Sequence, residues 1–186
     1  MADLKELHRR NLDRFGVHVT GVDDRWNGPT PCTEWDVRML VNHLVSENLW
    51  MPPLLDGQTI ADVGSRLDGD LLGDDPRSAW DASAKESVVA VETADLGAIV
   101  HVSYGDITAE AYVFDVMTDL AIHGWDLARA IGADEALDPE TIDLLFDHFK
   151  PQEESLKASG AFGPRVDPPA GADKQTLLLA VFGRVA

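Results

Sequence analysis

Apolar side chains recur at steps of three and four along most of this chain, the period of a helix with one buried face. Leu4, Leu7, Phe15 and Val19, with Asn11 in phase, predict a first helix over about residues 2–20, stopped at Gly21. Residues 26–33, Trp-Asn-Gly-Pro-Thr-Pro-Cys-Thr, are rich in breakers and predict a loop. Val37, Leu40, Val41, Leu44, Val45 and Leu49 define a second helix. Thr33 with Asp36 three residues on makes an imperfect capping box for it, and Pro52-Pro53 should end it. Residues 56–75 hold six Asp and four Gly with few apolar residues, which predicts a solvated excursion. Asp75-Pro76 then supplies a cap and a first-turn proline for a third helix over 76–95, with Trp80, Ala84, Val88 and Val91 on one face. The β-branched stretch 98–105 predicts a local extended segment or hairpin, too short to found a larger sheet. Thr108 or Asp106 opens a long fourth helix that ends at Gly132, and Asp138-Pro139-Glu140 opens a fifth carrying Ile142, Leu145, Phe146, Phe149 and Leu156. Residues 161–186 read as a Pro-rich tail and a short amphipathic helix. At 1.5 Å per residue, helices of ~18–24 residues span roughly 27–36 Å, the scale of a bundle one domain long. The expected architecture is all-α, a four-helix bundle with an extra C-terminal helix, in a single domain over residues 1–186.

Composition narrows the function classes. The 186 residues carry 15 Lys and Arg against 33 Asp and Glu, a formal charge of −18. That charge opposes the counterion-release attraction behind nucleic-acid binding and is repelled by anionic lipid, so neither nucleic acid nor a membrane surface is an expected partner. Cys32 is the single cysteine. It has no partner for an internal disulfide, as in proteins of reducing compartments. The N-terminal stretch is charged from Asp3 onward and lacks an apolar signal core, so a cytoplasmic location is expected. A chain of this length needs no metal as a folding staple, so any metal it binds is expected to be functional.

The fourth helix carries a second stripe beside its apolar one. Asp115, Asp119, His123 and Asp126 follow at spacings of four, four and three, which sets three carboxylates and an imidazole on one side of a helix. Asp119 and His123, at i and i+4, have the spacing that two metal ligands on one helix require. Gly124, beside His123, leaves room for another helix or a ligand. His43, near the apolar face of the second helix and four residues before Glu47, is the candidate third ligand. Each part alone has an ordinary reading: Asp119-x-x-x-His123 also suits a solvated acidic face, and His43 a boundary histidine. Together they suit the way bundles assemble metal sites from facing helices, and two His with one carboxylate leave a coordination position open. Such a donor set suits zinc, iron(II) or nickel.

Three separated motifs, in order, carry a resemblance. They are Pro29-Thr-Pro-Cys-Thr-Glu-Trp-Asp-Val-Arg-x-Leu-Val-x-His43, then Leu44-Val-x-Glu47-x-x-Trp50-x-Pro-Pro-Leu-Leu, then Asp119-Leu-x-x-His123-Gly-Trp-Asp-Leu-Ala-x-Ala130. The chain resembles the DinB-like metal-binding bundles, in the branch related to mycothiol-dependent maleylpyruvate isomerase, over essentially its whole length. The resemblance implies a zinc-type ion held by His43, His123 and the residue at 119. Many relatives have His or Glu there, and Asp119 reaches one methylene less far than Glu. Glu47 is the alternative carboxylate, and Asp115 or Asp126 the candidate to orient an imidazole N–H. The isomerase has a further C-terminal domain that this chain is too short to contain, so its reaction is not carried over.

The expected function is a metal- and thiol-dependent S-transferase or isomerase. Its cofactors are a divalent metal and mycothiol or another low-molecular-weight thiol, and its substrate is a small electrophile. No catalytic base is assigned, and monomer and homodimer are both compatible. The alternative is a metal-binding or stress-associated module without turnover, and a third reading is an acidic bundle without metal. Cys32, near the positive end of the second helix, is either a lowered-pKa thiol or a small residue locking its loop. Trp35, Trp50, Trp80 and Trp125 are candidates to line a pocket but are more commonly core. His8, His18, His101 and His148 lack ligand-spaced neighbours and are expected at the surface or boundary.

Overall fold

In the computed structural model, which describes residues 3–33, 35–152 and 166–186, each long helix starts at a short polar side chain that takes up a free backbone N–H. Asp3 caps α1 (Leu4–Thr20), Asp36 caps α2 (Val37–Leu55) and Asp75 caps α4 (Pro76–Thr93). Thr108 caps α5 (Ala109–Ile131), which ends at Gly132 in the left-handed conformation, φ 67°. A Cβ is strained there, so glycine is the residue that closes the helix. Between α2 and α4 the Asp-rich excursion carries one short helix, α3 (Ile60–Val63), opened by a Thr59/Asp62 capping box. Strands β1 (Ile99–Val102) and β2 (Gly105–Thr108) form the expected hairpin, with Ile99 opposite Thr108 and Val102 opposite Gly105.

The described residues divide into two compact units, residues 3–133 and 134–186. In the first, α1 packs mainly on α5 and also on α4, while α2 packs mainly on α4 and more sparsely on α5. The four long helices therefore close into a ring. Leu7 and Phe15 of α1, Leu40 and Leu44 of α2, Trp80 and Val91 of α4, and Val113 and Leu120 of α5 are buried. Each side chain of this size contributes about 1.5–3 kcal/mol by leaving water. In the second unit, α6 (Pro139–Phe149) starts at Asp138 and packs on α7 (Lys174–Val181), with Leu145, Leu178 and Leu179 buried and Lys174 Nζ 2.6 Å from Asp143. Among the described residues no helix is long and apolar enough to cross a membrane. Leu156 and much of the expected Pro-rich tail lie outside the described residues.

Four local expectations are corrected. Thr33 is exposed, and Asp36 itself is the cap of α2, accepting from Met39 N at 2.8 Å. Pro52 and Pro53 do not end α2 but sit in its last turn. They deprive only the carbonyls four residues earlier of partners, near the end of the helix, where buried Met51 and Leu54 hold the turn in place. On α4, Ser83 and Ser87 share the buried face with Trp80 and Val91, and Ala84 and Val88 lie only at its edge. The serines fit there because their hydroxyls are satisfied: Ser83 Oγ donates to Trp80 O, and Ser87 Oγ lies 3.2 Å from His8 Nε2 and 2.9 Å from Met51 Sδ. His8 and His18 are buried, not peripheral. Burial pushes the His8 imidazole down to about 4. His8, Ser83, Ser87 and Asn48 thus form a buried polar seam through α1, α2 and α4, with Asn48 Nδ2 donating to Ser83 Oγ at 3.4 Å.

Candidate metal centre

The site is built where α2 faces α5. The i, i+4 spacing of Asp119 and His123 sets both on one face of α5, and His43 projects from the second turn of α2. The three side chains each offer a ligand atom, and these atoms all lie within 4.8 Å of one another. His43 Nε2 is 3.2 Å from Asp119 Oδ2, and the His43 and His123 rings meet edge to face with centroids 5.4 Å apart. Two imidazoles and a carboxylate converging at this separation form a donor set that a zinc-type cation takes.

Asp126 fixes one of these ligands. It has no exposed surface, and its Oδ2 accepts a hydrogen bond from His123 Nδ1 at 3.0 Å. With Nδ1 carrying the proton, the lone pair is on Nε2, the form in which a histidine ligates. A buried carboxylate held in this way is the usual second partner of a metal-binding imidazole. The acidic stripe therefore divides. Asp119 joins His43, Asp126 orients His123, and Asp115 is exposed at the rim, accepting from Tyr104 Oη at 2.7 Å.

Trp35 forms a wall, its ring 4.7 Å from that of His43 and 5.3 Å from that of His123. The breaker-rich loop brings it there: Trp35 N and Thr30 Oγ1 both donate to Cys32 O, and Thr30 Oγ1 also lies 2.8 Å from Trp35 O. Cys32 is half-buried and lends its backbone to the loop. Trp80 and Trp125 are core residues and Trp50 is half-buried against the core. Gly124 faces α1, where a Cβ would lie 3.7 Å from Phe15, an ordinary contact. Helix packing, not ligand access, occupies that side. His101 is half-buried beside Asp106 and His148 is exposed, as expected.

Glu47, one turn beyond His43, is half-buried and outside the group of three converging ligand atoms. Burial pushes its carboxyl up, against the pull of His43 and with the added repulsion of Asp119 and Asp115. Burial works to lower His43, but the hydrogen bond to Asp119 and the charges of Asp119 and Glu47 outweigh it and raise the imidazole. Tyr104 and Tyr112 are residues that sequence periodicity did not mark. Burial raises both hydroxyls, and the Glu47 and Asp115 charges bear on each. The Gly105 turn next to Tyr104 is the one local signal of a side chain presented there.

Comparison with known proteins identifies the family. Residues 7–128 match the family model of the mycothiol maleylpyruvate isomerase N-terminal domain. Two uncharacterized proteins of Mycobacterium tuberculosis, from strains CDC 1551 and H37Rv, are each 30% identical to the chain over 138 residues, covering 72% of this chain and 70% of theirs. No solved structure matches it. A helical ring with a His43, Asp119 and His123 cluster between two of its helices, matched to the family model over most of its length, places the chain in the mycothiol maleylpyruvate isomerase N-terminal domain family, a DinB-like family.

Proposed function

We propose that this protein binds a divalent, zinc-type cation through His43, Asp119 and His123 and uses it to handle a low-molecular-weight thiol, transferring the sulfur to a small electrophile or assisting its isomerisation. The observation that carries this reading is the convergence of three ligand atoms within 4.8 Å, one of them on an imidazole locked by buried Asp126. A bound cation of this kind supplies Lewis acidity, which favours the thiolate over the thiol at neutral pH. The chain's own residues do the rest. Asp126 holds the His123 tautomer, Trp35 covers one side of the imidazole pair, and the Tyr104–Asp115 pair borders the site on the hairpin side.

The test is elemental analysis of protein purified without an affinity tag that chelates metal, beside a His43→Ala/His123→Ala double variant. The expected result is about one equivalent of metal in the native protein and almost none in the variant. A panel of electrophiles supplied with mycothiol and simpler thiols then tests turnover. Metal-loaded protein that conjugates none of them would leave a binding module without catalysis.

A further inference from the structure

The first unit has a long cleft that shares no residue with the His43, Asp119 and His123 cluster. It runs between the last turns of α2 and the outer side of α4, with a volume of about 950 Å³. Along α4 it extends from Asp81 to Thr93, about 18 Å at 1.5 Å per residue. Small side chains open it. Ala82 and Ala90 stand on α4 where a larger residue would fill the space, and Pro52 and Leu55 form the α2 wall. Val89, 54% exposed, adds a large apolar side chain to the α4 wall. A continuous apolar strip left open between polar borders marks an interaction surface.

Charge selects the occupant. Asp56, Asp81, Glu86 and Asp95 border the cleft, and among the described residues Lys85 is its only cation. No described residue forms an ion pair with Asp56, Asp81, Glu86 or Lys85. Unpaired acids are common in a chain with 33 acidic and 15 basic residues, so the rim alone selects nothing. The neighbouring cleft, between α1 and α4, supplies the comparison. It is smaller, about 590 Å³, and Arg9 and Lys85 stand there against Asp13 and Asp81, so its charges balance. The α2/α4 cleft instead joins an apolar floor to an acidic rim. A second copy of this chain, itself at −18, would meet that rim with like charge. An amphipathic helix lays a row of apolar side chains at i, i+3/i+4 and i+7 into such a groove and keeps its flanking cations at the rim. The length of the cleft matches about three turns of it. We propose that the α2/α4 cleft docks a helix of a partner protein, one whose apolar stripe is flanked by Lys or Arg. This surface is independent of the metal reading and is tested without it.

The experiment uses the full chain at physiological ionic strength, where charges beyond the cleft are screened. The probe is a fluorescein-labelled peptide of two repeats of Leu-Lys-Lys-Leu-Leu-Lys-Leu, an amphipathic helix about 21 Å long. Its control has the same residues in an order that makes no helical stripe. Fluorescence anisotropy gives the affinities, and backbone amide exchange gives the location. The striped peptide is expected to bind about tenfold more tightly than its control and to protect amides within residues 81–93 and 54–56. Glu86→Lys should weaken it about tenfold, and Val89→Ser, which leaves the charge unchanged, about fivefold. Asp24→Lys, the same charge change in the turn after α1, should weaken it about twofold at most. All three positions are exposed, so thermal unfolding of each variant should match that of the native protein. Equal binding of the two peptides, or equal losses in Glu86→Lys and Asp24→Lys, reduces the contact to unspecific charge attraction and overturns the proposal. Protection of these amides by decyltrimethylammonium below its micelle concentration, with none from the peptide, overturns it in favour of a small amphiphile. Protection that follows dimerisation of the free chain, measured by light scattering, overturns it in favour of a second copy.

Discussion

The buried His8 should make this protein acid-sensitive by a calculable amount. His8 has no exposed surface, its Nε2 is 3.2 Å from Ser87 Oγ, and its Nδ1 has no partner among the described residues. Among the described residues no charged group bears on it, and burial holds the imidazole at about 4 in place of 6.5. The folded pKa lies below the unfolded one, so between them the unfolded chain binds more protons and stability falls with falling pH. The contribution is complete above about pH 6.5 and is lost progressively as pH drops toward 4. At about 1.4 kcal/mol per pKa unit, the shift from 6.5 to about 4 costs the native state about 3 kcal/mol in acid. That is a large share of the 5–15 kcal/mol typical of a domain. Reversible urea unfolding of the native protein and of His8→Gln, at intervals from pH 7.5 to 4, isolates the effect, because the carboxylates are common to both and cancel. The native protein should lose about 3 kcal/mol more than the variant across this range. Parallel curves would refute the reasoning, as would an NMR titration of the His8 ring with a midpoint near that of an exposed histidine.

Two further outcomes follow from other contacts. Asp126→Asn keeps the side-chain volume but removes the charge that fixes His123, and zinc affinity measured by competition with a chelator should fall about 10- to 100-fold. Gly16→Val places a Cβ 2.9 Å from Trp80 Nε1, and Trp80 cannot retreat because its ring packs 4.4 Å from that of Phe15. Unfolding should show a loss of about 2 kcal/mol or more, with the metal site unaffected.

The residues that were legible in advance share one property: their signal is local. The apolar steps of three and four placed all four long helices, and Asp75, Thr108 and Gly132 marked boundaries through cap chemistry that needs only a few neighbouring residues. Asp119 and His123 could be paired because one helix turn joins them. His43 was a candidate from its place near the apolar face of the second helix, but its distance to Asp119 depends on how α2 meets α5, which no spacing encodes. The buried face of α4 was misplaced at Ser83 and Ser87 because polar residues that find partners inside the fold leave no apolar mark on the sequence. His8 went astray for the same reason. Tyr112 and Glu47 belong to different helices, and only the tertiary structure brings the Glu47 charge to bear on the Tyr112 hydroxyl.

The ring of helices is uneven, and the three converging side chains sit on one of its two sparser seams, where α2 meets α5. Two of the three converging residues and the orienting Asp126 ride on α5, while His43 alone crosses the gap. An ion bound there would act as a rivet across that seam. Any local opening that separates α2 from α5 must first release it, so occupancy should slow backbone amide exchange along both helices facing the gap.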